Sequence, residues 1–235
     1  MKRRSGLAEL IVEFLGVFAL TFIGAGTIIA TGGQNLVAIA FAHGLAIAVM
    51  IAAAGHISGG VYNPAVAAGL MASGKMPVAR GLAFIAAEVL GGIVAALLLR
   101  LIFPAARTDA VNLGTPLPGD GVSAVQALLV EIVLTFFLVF VIFGVAIDRR
   151  GAANIAGLAI GLTITIDILM GGAVSGAAMN PARHFGTALV QGAWRDAWVY
   201  WVGPILGGVA AALLYTFALM NTGGADEQAI DLPQG

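Results

Sequence analysis

Ser58-Gly59-Gly60-Val61-Tyr62-Asn63-Pro64-Ala65-Val66 recurs 117 positions later as Ser175-Gly176-Ala177-Ala178-Met179-Asn180-Pro181-Ala182-Arg183. Each copy carries Ser-Gly, three further residues, then Asn-Pro-Ala. Asn favours the helix N-cap and Pro the first helical turn, so each copy predicts a loop running into the start of a helix. Both copies lie in long apolar regions. Irregular backbone at membrane depth survives only where protein buries it or where it lines a water-filled cavity. Two such re-entrant loops at matching positions predict a pore or binding site between related halves.

The chain around them has 235 residues, 60% of them hydrophobic and 10% charged, with a mean hydropathy of +1.01. A soluble domain is far more polar, so the composition is that of a polytopic membrane protein. A net charge of −1 without a basic run gives no sign of a nucleic-acid partner. The absence of cysteine excludes disulfides, thiolate metal sites and thiol catalysis. No phosphate-cradling loop or catalytic constellation is evident, so the expectation is a protein that is not an enzyme and uses no cofactor or metal. Met1-Lys2-Arg3-Arg4 before an apolar run superficially resembles a signal peptide. The run continues to about Ala30 with Glu13 inside it and no convincing cleavage site, so it reads as the first span.

A spanning helix needs about 20 largely apolar residues. Six stretches qualify, roughly 7–30, 35–55, 79–103, 122–147, 152–172 and 195–219. Turn chemistry separates them at Thr31-Gly32-Gly33-Gln34-Asn35, the Pro-rich 104–120 and Asp148-Arg149-Arg150-Gly151. The stretches 63–74 and 180–191 are too short to span and become half-helices. The likeness between halves extends beyond the loops. Ala42-His43-Gly44-Leu45 matches Ala159-Ile160-Gly161-Leu162, Leu90-Gly91-Gly92 matches Leu206-Gly207-Gly208, and Glu13 matches Glu131. Three spans per half make the halves enter the membrane in opposite directions.

The expected fold is therefore an all-α membrane protein with six transmembrane helices, two re-entrant half-helices and an inverted three-helix repeat. One channel domain covers 1–220, with repeats at about 7–103 and 122–219, and a polar, poorly ordered tail covers 221–235. Lys2, Arg3, Arg4, Lys75, Arg80, Arg149 and Arg150 fall on one side, against Arg100, Arg107, Arg183 and Arg195 on the other. That bias places both termini in the cytoplasm; the expected membrane is the plasma (inner) membrane.

Paired Asn-Pro-Ala motifs, with Arg183 directly after the second, resemble those of the aquaporins, the major intrinsic protein family. Gly55-His56-Ile57-Ser58-Gly59-Gly60, Glu13-Phe14-Leu15-Gly16 and Trp201-Val202-Gly203-Pro204 resemble the family as well, so the resemblance covers nearly the whole chain. It implies a homotetramer in a lipid bilayer, each protomer with its own pore for water and small neutral solutes. Asn63 and Asn180 would face the lumen where the half-helices meet. The Asn-Pro-Ala residues Asn63, Pro64, Ala65, Asn180, Pro181 and Ala182 would form the central site.

Carried over by register from the family, a narrower filter would consist of His43, Ile168, Ala177 and Arg183. An insertion would move its second member to Asp167 or Leu169. The set departs from the strict water-channel pattern, with Phe then His, and looks more like the plant vacuolar-membrane branch with its arginine retained. That implies ammonia permeation beside water. His184 after the arginine and Ala188 beyond it depart from the glycerol branch, which disfavours glycerol. Arg183 would repel cations and hold a solute oxygen, while His43 would donate or accept a hydrogen bond.

Ionisable groups inside spans are functional candidates by default. Glu13 and Glu131 are expected to hold the loop backbones. His56 either does the same or lines the cytoplasmic vestibule. Glu88 and Glu9 read as structural. Asp167 either bonds a neighbouring helix behind the filter or orients His43, and His184 is expected in the extracellular vestibule. Competing readings are a glycerol, urea or metalloid facilitator of the same fold, a proton-coupled secondary transporter, and a junction protein with a vestigial pore.

Overall fold

The computed structural model describes residues 6–220. The tail expected at 221–235 and the basic residues Lys2, Arg3 and Arg4 lie outside them. The described residues form helices α1 (Gly6–Thr31), α2 (Leu36–Ser58), α3 (Pro64–Ala72), α4 (Val78–Ile102), α5 (Ala105–Ala110), α6 (Ala124–Ile142), α7 (Ala156–Gly171), α8 (Pro181–Gln191) and α9 (Val199–Leu214). A wider helical turn extends α6 to Ile147 and α9 to Leu219. Six helical segments are long and apolar enough to cross a membrane; α3, α5 and α8 are not among them. The Pro-rich connection holds the short α5 and a helical turn at Asn112–Gly114.

The helix starts carry their chemistry in the sequence. Asn35 Oδ1 accepts from Ala38 N at 3.0 Å and caps α2. Ser123 and Gln126 close a reciprocal capping box at the start of α6. Asn63 and Asn180 cap α3 and α8 with their side-chain oxygens, each followed by Pro in the first turn.

Glycine sets how the helices meet, and the two halves use it in the same way. A Cβ on Gly44 would lie 2.3 Å from the Gly161 carbonyl, and one on Gly161 would lie 2.4 Å from the Gly44 carbonyl. Those two helices, α2 and α7, therefore cross backbone to backbone at equivalent residues. A Cβ on Gly91 would meet Phe14 O at 2.3 Å, and one on Gly207 would meet Ile132 O at 2.1 Å. Gly92 and Gly208 likewise sit against the carbonyls of Ala182 and Ala65, the alanines of the two motifs. Each half-helix is thus packed on the long helix of the opposite half: α8 on α4 and α3 on α9. Close backbone approach through small residues is how helices associate where lipid offers no hydrophobic drive. The result is an inverted repeat with both half-helix tips at its centre.

Candidate functional site

Each loop before a half-helix is held open by a buried carboxylate. Glu13, fully buried on α1, accepts from Val61 N at 3.1 Å and Tyr62 N at 2.6 Å. Its counterpart Glu131 on α6 accepts from Ala178 N at 2.8 Å, Met179 N at 2.7 Å and Ser175 Oγ at 2.7 Å. With these N–H groups tied back, the carbonyls of Tyr62 and Met179 are left to accept from the opposite half. The cost is backbone strain: Tyr62, Ala177 and Met179 have φ values of 50°, 46° and 50°, a region non-glycine residues avoid. His56 lies exposed in the last turn of α2, at the foot of the first loop.

The two motif asparagines make one reciprocal set of bonds. Asn63 Oδ1 accepts from Ala65 N, and Asn180 Oδ1 accepts from both Ala182 N and Arg183 N. Asn63 Nδ2 donates to Met179 O at 2.8 Å, and Asn180 Nδ2 donates to Tyr62 O at 2.8 Å. Each amide therefore caps its own half-helix and clasps the opposite loop, at the residue just before the other asparagine. An amide nitrogen carries two hydrogens, so one N–H of each remains for a molecule in the cavity that both residues line.

That cavity has an apolar wall and a polar one. Ile47, Leu138, Ile142 and Ile164 face the loop segments 60–63 and 177–180 across it. At one end it is lined by His43, Ile168, Ala177 and Arg183, so the four residues carried over by register are brought together. Beyond them a second cavity opens, bordered by Asn112, Thr115 and Arg195, and the two share Ile168 and Arg183. The repeat makes the end distinctive. The positions 117 residues from His43, Ile168, Ala177 and Arg183 are Ile160, Ile51, Gly60 and Val66, and all four line the same cavity. The polar residues therefore gather at one end of the cavity, and their repeat-related counterparts are apolar.

Arg183 is 3% exposed and is held on two sides. Nη1 donates to Gly114 O at 2.7 Å, and Nη2 lies 3.1 Å from His43 Nε2. His43 Nδ1 lies 2.8 Å from Ile39 O. A carbonyl only accepts, so Nδ1 carries the proton and Nε2 offers its lone pair to the guanidinium. The expectation that His43 itself bonds a solute is corrected by this geometry: both ring nitrogens are spent within the protein. The ring fits there because α1 has glycine opposite; a Cβ on Gly24 would lie 2.2 Å from Nε2.

Two further readings change. Asp167 does not orient His43 by a hydrogen bond, since both imidazole nitrogens are taken, and its Oδ2 is buried with no donor. His184 does not face a vestibule. It is fully buried, stacked on Tyr200 with ring centroids 4.3 Å apart, and Tyr200 Oη donates to Ser175 O in the second loop. Glu88 has a structural part, as its place in a span suggests: Asn63 N donates to its Oε1 at 3.0 Å. No cluster of metal-ligating side chains occurs among the described residues.

Comparison with known proteins agrees with this architecture. The family model described as "Major intrinsic protein" matches residues 1–215. The chain is 44% identical over 233 residues to "Aquaporin TIP4-4" of Zea mays, covering 94% of this chain and 88% of that one. It is 42% identical over 213 residues to "Aquaporin NIP1-1" of Zea mays, covering 89% and 74%. Among solved structures, the X-ray structure of the aquaglyceroporin from Plasmodium falciparum matches with a TM-score of 0.82 at 26% identity, over 91% of this chain and 97% of that chain.

Proposed function

The chain belongs to the major intrinsic protein family, whose members are passive channels and not enzymes, and on that premise we propose that it conducts water, with ammonia beside it, and excludes protons and ions. The observation that carries this reading is the pairing of Arg183 with His43 in a lining completed by the small Ala177 and the apolar Ile168. A guanidinium pulled against one wall leaves an opening wider than one in which it reaches across. It still supplies fixed positive charge and free N–H donors to a neutral solute.

Proton exclusion follows from the centre. Each half-helix tip carries roughly half a positive charge, and the two tips lie under Asn63 and Asn180. A water that accepts from both free amide hydrogens points its own hydrogens away along the pore. It then cannot accept a proton from the next water in the file. Cations meet the same two tips and, at one end, Arg183.

The same reading assigns one channel domain to about 1–220 and assigns the protein to a homotetramer in a plasma (inner) membrane with cytoplasmic termini. The support is the family and the cationic side on which Lys75, Arg80, Arg149 and Arg150 lie.

Stopped-flow shrinkage of proteoliposomes under an impermeant osmolyte tests it, followed by reswelling with glycerol or urea and an ammonia pulse. Water flux far above empty liposomes, with an ammonia response and slow glycerol entry, is expected without any proton gradient. Slow water with fast entry of one solute would make the protein a facilitator of that solute. A requirement for a proton gradient would favour coupled transport.

A further inference from the structure

The two loops are not supported alike. Glu131 takes Ala178 N and Met179 N in the second loop. In the first, two carboxyls take three consecutive N–H groups: Glu13 those of Val61 and Tyr62, and Glu88 that of Asn63. Gly91 and Gly207 are equivalent, so the position matching Glu88 is Pro204, which offers no carboxyl.

Glu13 and Glu88 are both fully buried and sit side by side, since they accept from the backbone N–H groups of adjacent residues, Tyr62 and Asn63. Glu88 Oε2 has no donor. An ionised carboxyl only accepts, and two ionised carboxyls in contact at low dielectric repel strongly. A carboxyl oxygen with no donor, beside another carboxyl, is where a protonated group places its O–H. Among the described residues, the groups around the pair supply no cation. The first loop contributes the Ser58 hydroxyl, Tyr62 and backbone N–H groups, and α8 reaches α4 through backbone at Ala182 and Gly186 against Gly92. Arg80, on the same helix as Glu88, is engaged with Glu9 and Ser58 O.

We propose that Glu88 is a positioning residue that works as a neutral carboxylic acid, giving its Oε2 hydrogen to Glu13 while Oε1 receives Asn63 N–H. One proton shared by the pair then leaves a single negative charge under the first loop and fixes the cap of α3. The inference deepens the channel reading, because it concerns how Asn63 is set. The chemistry itself is independent of which solute passes.

The test is infrared difference spectroscopy of reconstituted wild type and Glu88→Gln in heavy water, with osmotic permeability followed against pH. Wild type is expected to show the carbonyl stretch of a protonated carboxyl at neutral pH, and Glu88→Gln to lose it. Glutamine keeps an acceptor for Asn63 N–H and a donor for Glu13, so the variant is expected to retain most of the permeability. Its permeability is expected to stay flat into alkaline pH, where wild type falls several-fold as the band disappears. Glu88→Leu is expected to conduct several-fold less at every pH. An unchanged carbonyl region in Glu88→Gln, or pH profiles identical in the two proteins, would overturn the proposal. The infrared band reads the proton even if water is not the solute.

Discussion

Arg183 and His43, 140 positions apart, share a hydrogen bond of 3.1 Å in which the imidazole is the acceptor. The arginine is the residue after the second motif and would be recognised in any chain of this kind. Its direction is set by a histidine of the other half. His43→Ala removes the acceptor and hollows the wall against Gly24, so urea and glycerol entry is expected to rise several-fold in the reswelling assay. Arg183→Val is expected to raise entry of larger solutes and to admit protons. Unchanged discrimination in both variants would refute the filter assignment.

Glu131 satisfies two backbone donors and a hydroxyl at once. Glu131→Leu leaves the N–H groups of Ala178 and Met179 buried without acceptors, at a cost of about 1–3 kcal/mol each. The expected outcome is a markedly lower melting temperature in detergent and lost conduction. Glu131→Gln keeps one acceptor oxygen and is expected to fall between the two.

Gly161→Ala puts a methyl 2.4 Å from the Gly44 carbonyl, where backbone rather than a flexible side chain must move. Overpacking of this kind costs about 1–3 kcal/mol. A lower melting temperature is expected, and Gly6→Ala serves as the contrast, since a Cβ there meets open space and needs no left-handed backbone. Gly6→Ala is expected to cost less than Gly161→Ala, and the reverse order would count against backbone crossing of α2 and α7.

Asp148, after α6, bonds Arg150 through both carboxylate oxygens, and Arg150 Nη2 also donates to Leu219 O at 3.0 Å. The hydrogen bonds from Arg150 hold the Asp148 carboxyl down at about 2. A depressed carboxyl stabilises the fold above its unfolded value, about 4, and loses that contribution as pH falls through its folded value. The stability difference between wild type and Asp148→Asn is therefore expected to be constant from neutral pH down to about 4. It is expected to vanish as pH approaches about 2. Thermal melts of both proteins along that range measure it, and a difference already lost near neutral pH would disprove the assignment.

Local chemistry wrote much of this molecule in the sequence. Segment length and apolarity decided that six helices span. Asn followed by Pro decided where the half-helices begin, and a 117-residue repeat decided that the halves are related and inverted. Glu13 and Glu131 stood out because an acid inside a span needs donors, and the loops supply them. Rotation and approach were not legible, because helices apolar on nearly every side carry no stripe to say which face turns inward. Only the packed structure, through Gly44 against Gly161 and Gly24 against the His43 ring, decided that His43 meets Arg183. The same packing turned His184 of α8 onto Tyr200 of α9 and set Glu88 beside Glu13. These are contacts between residues distant in sequence, fixed by how closely backbones approach, and no local pattern encodes that distance.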